Sequence, residues 1–155
     1  MKKFTNGLVV GKFAPLHKGH DYLIRTAIEN CTNLVIIQYG SDEVGIASET
    51  IKSVLGSIYS SSSVCVPEAH LVPPSNDSGA YTHREYCANI LKHISYIPDA
   101  VFTSEDYGNG FAEHLSNFFN HHVEHICVDI DRKKFPISGT ECRNSIEKRK
   151  IWSLM

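Results

Sequence analysis

The sequence predicts an α/β fold: an open, mostly parallel five-stranded sheet with helices on both faces. Short apolar runs rich in β-branched residues alternate with helical patterns of period 3.6, which is the signature of βαβ units. None of those runs alternates polar with apolar, as expected of strands covered on both faces. The chain has 155 residues, enough to bury a core without covalent staples, and reads as a single domain over 1–155.

The first strand is expected over 7–13. A helix over 19–30 follows, where Leu23 with Ala27 and Ile24 with Ile28 form one apolar stripe at i,i+4 spacing. The second strand is expected over 34–39. Helix two carries Ile51, Val54, Leu55 and Ile58 at i, i+3, i+4, i+7, opened by Ser48 and Glu49. The third strand is expected over 64–72, interrupted by Pro67. Thr82-His83-Arg84-Glu85 matches a capping box and starts helix three, which runs through Ile90, Leu91 and Ile94 until Pro98 stops it. A fourth strand over 100–103, a helix over 110–119 with Phe111, Leu115, Phe118 and Phe119 apolar, and a fifth strand over 126–128 complete the pattern. A last short helix is expected after Gly139.

Hydrophobic residues make up 42% of the chain and charged residues 21%, the balance of a soluble globular protein. No apolar run approaches the roughly 20 residues that span a bilayer. The opening residues break at Gly11 and Lys12 before a signal-peptide core could form, so a cytoplasmic location without membrane contact is expected. Cys31, Cys65, Cys87, Cys127 and Cys142 show no CxxC pair and read as reduced thiols rather than a disulfide frame or a zinc site. Cys65, Cys87 and Cys127 sit among apolar residues, as small core side chains do. The net charge of -2 argues against a general polyanion binder. Yet seven of the 15 Lys and Arg, namely Arg132, Lys133, Lys134, Arg143, Lys148, Arg149 and Lys150, fall in the last 24 residues.

Two segments carry chemistry. Gly11-Lys12-Phe13-Ala14-Pro15-Leu16-His17-Lys18-Gly19-His20 leaves a strand and enters a helix, the place where an open parallel sheet exposes a crevice and a helix N-terminus suited to phosphate. Gly19 admits a tight turn and a close ligand, while His17 and His20, three apart, can face one bound group. Two imidazoles donate N–H bonds to phosphate oxygens whose charge shifts during reaction, and Lys12 and Lys18 add fixed positive charge. As a residue on a first helical turn, His20 is expected to matter little to folding.

Downstream, Phe135-Pro136-Ile137-Ser138-Gly139-Thr140-Glu141-Cys142-Arg143 follows the last expected strand. Backbone N–H groups at a helix start, the Ser138 and Thr140 hydroxyls and Arg143 one turn on together suit a triphosphate tail. The three histidines His121, His122 and His125 lack acidic or cysteine partners at ligand spacing and read as an exposed turn, and Asp42 reads as a loop residue.

GKFAPLHKGH closely resembles the (T/H)xGH signature of the nucleotidylyltransferase superfamily, in the spelling G-[KR]-F-x-P-x-H-x-G-H. That spelling looks most like the NadR-type nicotinamide mononucleotide adenylyltransferases. Cytidylyltransferases and pantetheine-phosphate adenylyltransferases usually read GTFD where this chain has Gly11-Lys12-Phe13-Ala14. ISGTECR resembles the ISSTxxR element by which the superfamily grips the β and γ phosphates of ATP. Thr103-Ser104-Glu105 is similar to the TSE that lies near the adenosine in NadR-type enzymes. Further likeness at Val128-Asp129, Arg132 and Trp152 carries the resemblance through the chain in order, with 41–97 matching least.

The resemblance implies a Rossmann-like sheet of the HUP/nucleotidylyltransferase type. It also implies adenylyl transfer from ATP to nicotinamide mononucleotide, giving NAD and pyrophosphate, with Mg²⁺ carried on ATP and no metal held by the protein. His17, His20, Lys18 and Arg143 become the catalytic set. Gly11, Lys12, Phe13, Gly19, Ser104, Glu105, Ser138, Gly139 and Thr140 become the ATP and phosphate site. Lys52 stands nearest to the arginine that the family carries on its second helix, and Tyr81 and Tyr86 stand where an aromatic residue stacks on the nicotinamide, so these three are the acceptor candidates. The kinase domain that often accompanies the family is not expected, since no GxxxxGK[ST] occurs. Nucleotidyl transfer to phosphopantetheine or a sugar phosphate, and a non-catalytic nucleotide-binding or nucleic-acid-binding module, are the alternatives, and the sequence leaves monomer and homo-oligomer both open.

Overall fold

A computed structural model describes residues 2–66, 72–75, 77–105, 107–128 and 153–154. Strand β1 (Phe4–Gly11) leads to helix α1 (Lys18–Asn30), strand β2 (Cys31–Gln38), a short 3-10 helix (Ser41–Val44) and helix α2 (Ser48–Ile58). Strand β3 (Ser63–Cys65), helix α3 (Ala80–His93), strand β4 (Ala100–Thr103), helix α4 (Gly108–Phe119) and strand β5 (Glu124–Cys127) follow. The five strands form one sheet in the order β3-β2-β1-β4-β5, and every pairing is parallel. The fold is the expected α/β, Rossmann-like one.

Alternate side chains of each strand enter opposite layers, which is why the strand runs are apolar throughout. Val9, Ile36 and Phe102 pack with Leu23, Ile24 and Ala27 of α1 and Ile51 and Leu55 of α2. Leu8, Val35, Ile37 and Val101 pack with Cys87, Ala88 and Leu91 of α3 and Phe111, Ala112 and Leu115 of α4. Helices α1 and α2 therefore cover one face, and α3 and α4 the other. The strand order reverses between β1 and β4, so the carboxyl ends of those strands flank the crevice such sheets use for ligands.

Several boundaries differ from the sequence expectation. Helix α3 starts at Ala80 with Gly79 as N-cap and no side-chain cap bond. Glu85 does not close a capping box with Thr82; its carboxylate binds His114 Nε2 of α4 at 2.7 Å. The helix stops before Pro98, because Ser95 takes a left-handed backbone (φ 56). The Tyr96 N–H then reaches the Leu91 carbonyl and the Ser95 N–H the Lys92 carbonyl, a Schellman closure. Strand β3 is three residues long, and Val72 is 80% exposed outside any strand. Cys127, expected in the core, is exposed, whereas Cys31 is buried against Gly7, where an added Cβ would collide with the thiol. Among the described residues no helix is long and apolar enough to cross a membrane.

Candidate functional site

The segment between β1 and α1 is built around two rings. His17 is the N-cap of α1, and its Nδ1 accepts the His20 N–H at 3.2 Å. His20 returns the bond: its Nδ1 accepts the His17 N–H at 3.3 Å, and the two imidazoles stack 3.6 Å apart at 13°. Since a backbone N–H can only donate, each Nδ1 holds a lone pair and each ring carries its proton on Nε2. The pair is thereby fixed as two Nε2–H donors in their neutral form.

Phe13 supports this pair from below. Its backbone is left-handed (φ 52), uncommon for a residue with a side chain, and its ring is buried edge-on to His20 at 5.0 Å. A Cβ at Gly11 would fall 3.0 Å from that ring, so glycine makes room for the fold-back. The turn thus lies at Phe13, whereas Gly19 sits inside the first turn of α1. Lys18 opens α1 with an exposed side chain. Near the chain's end, the Leu154 N–H donates to the Leu16 carbonyl at 2.7 Å and Ser153 bridges antiparallel to His17, so residues 153–154 lie against the same loop.

Beside this loop a cavity of about 570 Å³ opens past the carboxyl ends of β1 and β2, between α3 and α4. That size matches a small-molecule site. Lys12 lines it, its stem laid over Gly40, which has a positive φ of 89 and would bring a Cβ to 3.3 Å from Lys12 Cε. Tyr39, Tyr107 and Phe111 supply aromatic wall.

Tyr39 is fixed by a chain of hydrogen bonds. His83 Nε2 lies 3.1 Å from the Ser75 carbonyl, which only accepts, so Nε2 carries the proton. His83 Nδ1 then accepts the Tyr39 hydroxyl at 2.8 Å. Burial, with Cys87 beside it, holds the Tyr39 hydroxyl well above its ordinary pKa, and burial pushes the Cys87 thiol up to about 12. Neither group ionises near neutrality, so both act as wall rather than as nucleophile or base.

At the end of β4, Thr103 Oγ1 donates to the Glu105 carbonyl at 2.9 Å and accepts its N–H at 3.3 Å, a local turn that carries Ser104 and Glu105 out of the sheet. His125 of β5 binds Thr103 Oγ1 through Nε2 at 2.7 Å, while His121 binds Asp99 Oδ1 at 2.7 Å. Two of the three clustered histidines thus hold separate structural partners.

The sequence candidates divide accordingly. Gly11 and Lys12 line the cavity, and His17, Lys18, Gly19 and His20 form the helix start next to it. Tyr86 backs Tyr39 edge-on at 5.0 Å without lining the cavity. Tyr81 is 69% exposed and packs edge-on against His114 on α4. Lys52 is exposed on α2, near Cys65 of β3 and away from the cavity lining. Ser138, Gly139, Thr140 and Arg143 lie outside the described residues. Sequence reading missed Tyr39, His83, Arg84 and Tyr107. A signal existed for the α3 members: Ala80, His83, Arg84 and Cys87 recur at helical spacing on the face that continues to buried Leu91.

No protein-family model matches the sequence, and no curated protein matches it. Among solved structures, the chain superposes on NadR protein in complex with NAD and AMP-PNP with a TM-score of 0.66 and 16% identity, over 99% of this chain and 46% of that one. A bifunctional NMN adenylyltransferase/ADP ribose pyrophosphatase from Francisella tularensis, complexed with AMP and an Mn ion, matches with a TM-score of 0.57 and 18% identity over 90% and 40% of the two chains. A pantoate-beta-alanine ligase from Francisella tularensis matches with a TM-score of 0.54 and 14% identity over 83% and 60%. The chain spans about half the length of these structures. At such identities the likeness is one of fold.

Proposed function

We propose that the chain transfers an adenylyl group from ATP to nicotinamide mononucleotide, giving NAD and pyrophosphate, in the cytoplasm. The observation that carries this reading is the reciprocal His17–His20 pair, two fixed Nε2–H donors at a helix N-terminus beside a cavity of nucleotide size. The fold shared with the NadR and NMN adenylyltransferase structures supports it.

In the proposed reaction an acceptor phosphate oxygen attacks the α phosphorus of ATP in line. A new P–O bond forms, the bond from the α phosphorus to the bridging oxygen breaks, and pyrophosphate leaves with that electron pair. Positioning and charge do the work. His17 and His20 donate to the α phosphate oxygens, with Lys12 and Lys18 as neighbouring cations. Gly11, Phe13 and Gly19 shape the loop around them, and Ser104 and Glu105 stand at the adenosine. Ser138, Gly139, Thr140 and Arg143 hold the leaving pyrophosphate, and Mg²⁺ arrives on the triphosphate as part of the substrate.

One observation favours a second acceptor class within the same chemistry. None of Lys52, Tyr81 and Tyr86, the three acceptor candidates that the resemblance implies, lines the cavity, whose walls are other residues. An acceptor screen with ATP and Mg²⁺, reading pyrophosphate, decides between them. Release with nicotinamide mononucleotide supports the primary reading; release with phosphopantetheine or a sugar phosphate and never with nicotinamide mononucleotide overturns it.

A further inference from the structure

Beside the loop that leaves β1 lies a buried polar chain that the proposed transfer does not use. Gln38 ends β2, in register with Gly11 at the end of β1, and both Gln38 and Ser41 are wholly buried. Gln38 Nε2 donates to the Lys12 carbonyl at 3.1 Å and to Ser41 Oγ at 2.9 Å. The Lys12 carbonyl only accepts, so the orientation of the amide is fixed. Ser48 Oγ lies 3.2 Å from Ser41 Oγ and donates to Asp42 Oδ2 at 3.2 Å, while Asp42 Oδ1 accepts the Ser48 N–H at 3.1 Å. The donors therefore run one way, from Gln38 through Ser41 and Ser48 to a carboxylate that only accepts. Among the described residues Gln38 Oε1 is buried without a hydrogen-bond partner.

The Gln38 amide lengthens the parallel ladder by one rung. The Tyr39 N–H reaches the Gly11 carbonyl at 3.3 Å, and the Gln38 side chain takes the next carbonyl, that of Lys12, which lies past the end of β1. Two residues beyond Gln38, Gly40 carries the Lys12 stem. One short segment thus holds Lys12 by backbone and by side chain. The next residue is Phe13, whose left-handed backbone (φ 52) persists only where its surroundings over-determine it. Gln38 holds the near end of this loop and the His17–His20 caps hold the far end. An amide with a bare buried carbonyl is costlier than an apolar side chain of the same size, so packing alone does not account for glutamine here.

Resting on the nucleotidyl-transfer reading above, we propose that Gln38 is a positioning residue: through the Lys12 carbonyl it sets where the Lys12 ammonium meets the phosphates of ATP. Being buried, it touches no substrate and acts only through Lys12. Ser41, Ser48 and Asp42 in turn hold the amide. They tie the site loop to the start of α2, a helix whose own N-cap, Ala47, makes no side-chain bond. Displacing a cation from reacting phosphates is costly, because catalysis of this kind rests on positioning and charge.

The test is a double-mutant cycle on pyrophosphate release. Gln38→Met keeps the volume and removes both N–H donors, and Lys12→Met removes the ammonium. Gln38→Met should lower kcat/KM for ATP by about tenfold or more. In the Lys12→Met background the same substitution should change it by less than about twofold. A merely structural role costs the same in both backgrounds, so equal losses, or no loss in Gln38→Met, overturn the proposal. Ser41→Ala leaves residue 38 in place and removes its second acceptor. It should lower kcat/KM severalfold, again only where Lys12 is present, and it carries the test if denaturant unfolding shows that Gln38→Met does not fold. Calorimetric binding of ATP without acceptor separates the two readings. If no acceptor yields pyrophosphate but Gln38→Met weakens ATP binding only where Lys12 is present, the transfer reading fails and the positioning role stands. If pyrophosphate is released and the losses are equal in both backgrounds, the transfer reading stands and the positioning role fails. A chain that neither binds ATP nor releases pyrophosphate overturns both.

Discussion

His17 and His20 cap each other across the first turn of α1, each Nδ1 accepting the other's backbone N–H, with the rings stacked at 3.6 Å. A capping box ordinarily pairs Ser or Thr with Glu or Gln. With imidazoles in both places, the device that starts the helix also sets the tautomer. In the proposed reaction fold and chemistry are joined in one pair, and only the choice of substitution separates them.

That separation is the first prediction. His20→Ala removes both the cap bond and the edge contact with Phe13, so stability should drop by about 1 kcal/mol, more than expected of a first-turn surface residue. Turnover should fall by about 10² to 10³, the usual cost of losing a preorganised donor. His20→Gln can still reach back to the His17 N–H and should keep most of the stability while losing the same turnover. Denaturant unfolding alongside pyrophosphate release checks both. Full turnover in His20→Gln would remove the imidazole from the reaction.

A second prediction concerns the cavity wall. Tyr39→Phe takes the donor from His83 Nδ1 and loosens the tie to Ser75, at a cost of about 1 to 3 kcal/mol. The acceptor KM should rise several-fold while the ATP KM holds. A rise in the ATP KM alone would assign this wall to the other substrate.

How much of this was legible depends on the kind of signal. Val9, Ile36 and Phe102 announce buried strands by hydrophobicity alone, and the stripes of α1 and α2 by period, so the α/β fold could be read from the chain. Thr82 and Glu85 spelled a capping box, yet Glu85 is taken by His114, 29 residues away in sequence, a tertiary contact that local spelling does not encode. His17 and His20 stood out in the sequence as a pair three apart at a helix start but not as mutual caps, because imidazole is an unusual capping group. Lys12, which lines the cavity, was among the candidates that the sequence offered. Arg84 was not, because its place in the cavity depends on α3 meeting α4 across Gly110.

The third prediction addresses the leaving group. Arg143 stands one turn beyond Ser138-Gly139-Thr140 in the sequence, where charge develops on departing pyrophosphate in the proposed reaction. Arg143→Ala should lower kcat by about 10² to 10³ with a smaller change in the acceptor KM. Steady-state kinetics with both substrates varied is the measurement, and an unchanged kcat would take Arg143 out of the site.

The fourth prediction is a pH dependence of stability that runs through His125. Its ring packs against Gly108, where an added Cβ would collide with it, and its Nε2 lies 2.7 Å from Thr103 Oγ1. Thr103 Oγ1 already donates to the Glu105 carbonyl, so the His125 Nε2–H donates to Thr103 and helps hold the turn that carries Ser104 and Glu105. Burial disfavours the imidazolium and lowers the His125 pKa below its ordinary value of 6.5. Between that lowered value and 6.5 the unfolded chain binds the proton more readily than the folded one, so stability rises with pH across this window. The contribution is fully present above pH 6.5 and is lost as the pH falls through the folded-state value. The ring is only partly buried, so the effect is small and is read as a difference between variants. His125→Gln keeps an amide donor for Thr103 without a group that titrates there. The wild-type melting temperature should fall more steeply than the variant's between pH 6.5 and about 5, with the two curves parallel above 6.5. If the curves stay parallel down to pH 5, burial does not hold the proton off His125 in the folded chain, since the Nε2–H bond to Thr103 is made by the neutral and the protonated ring alike.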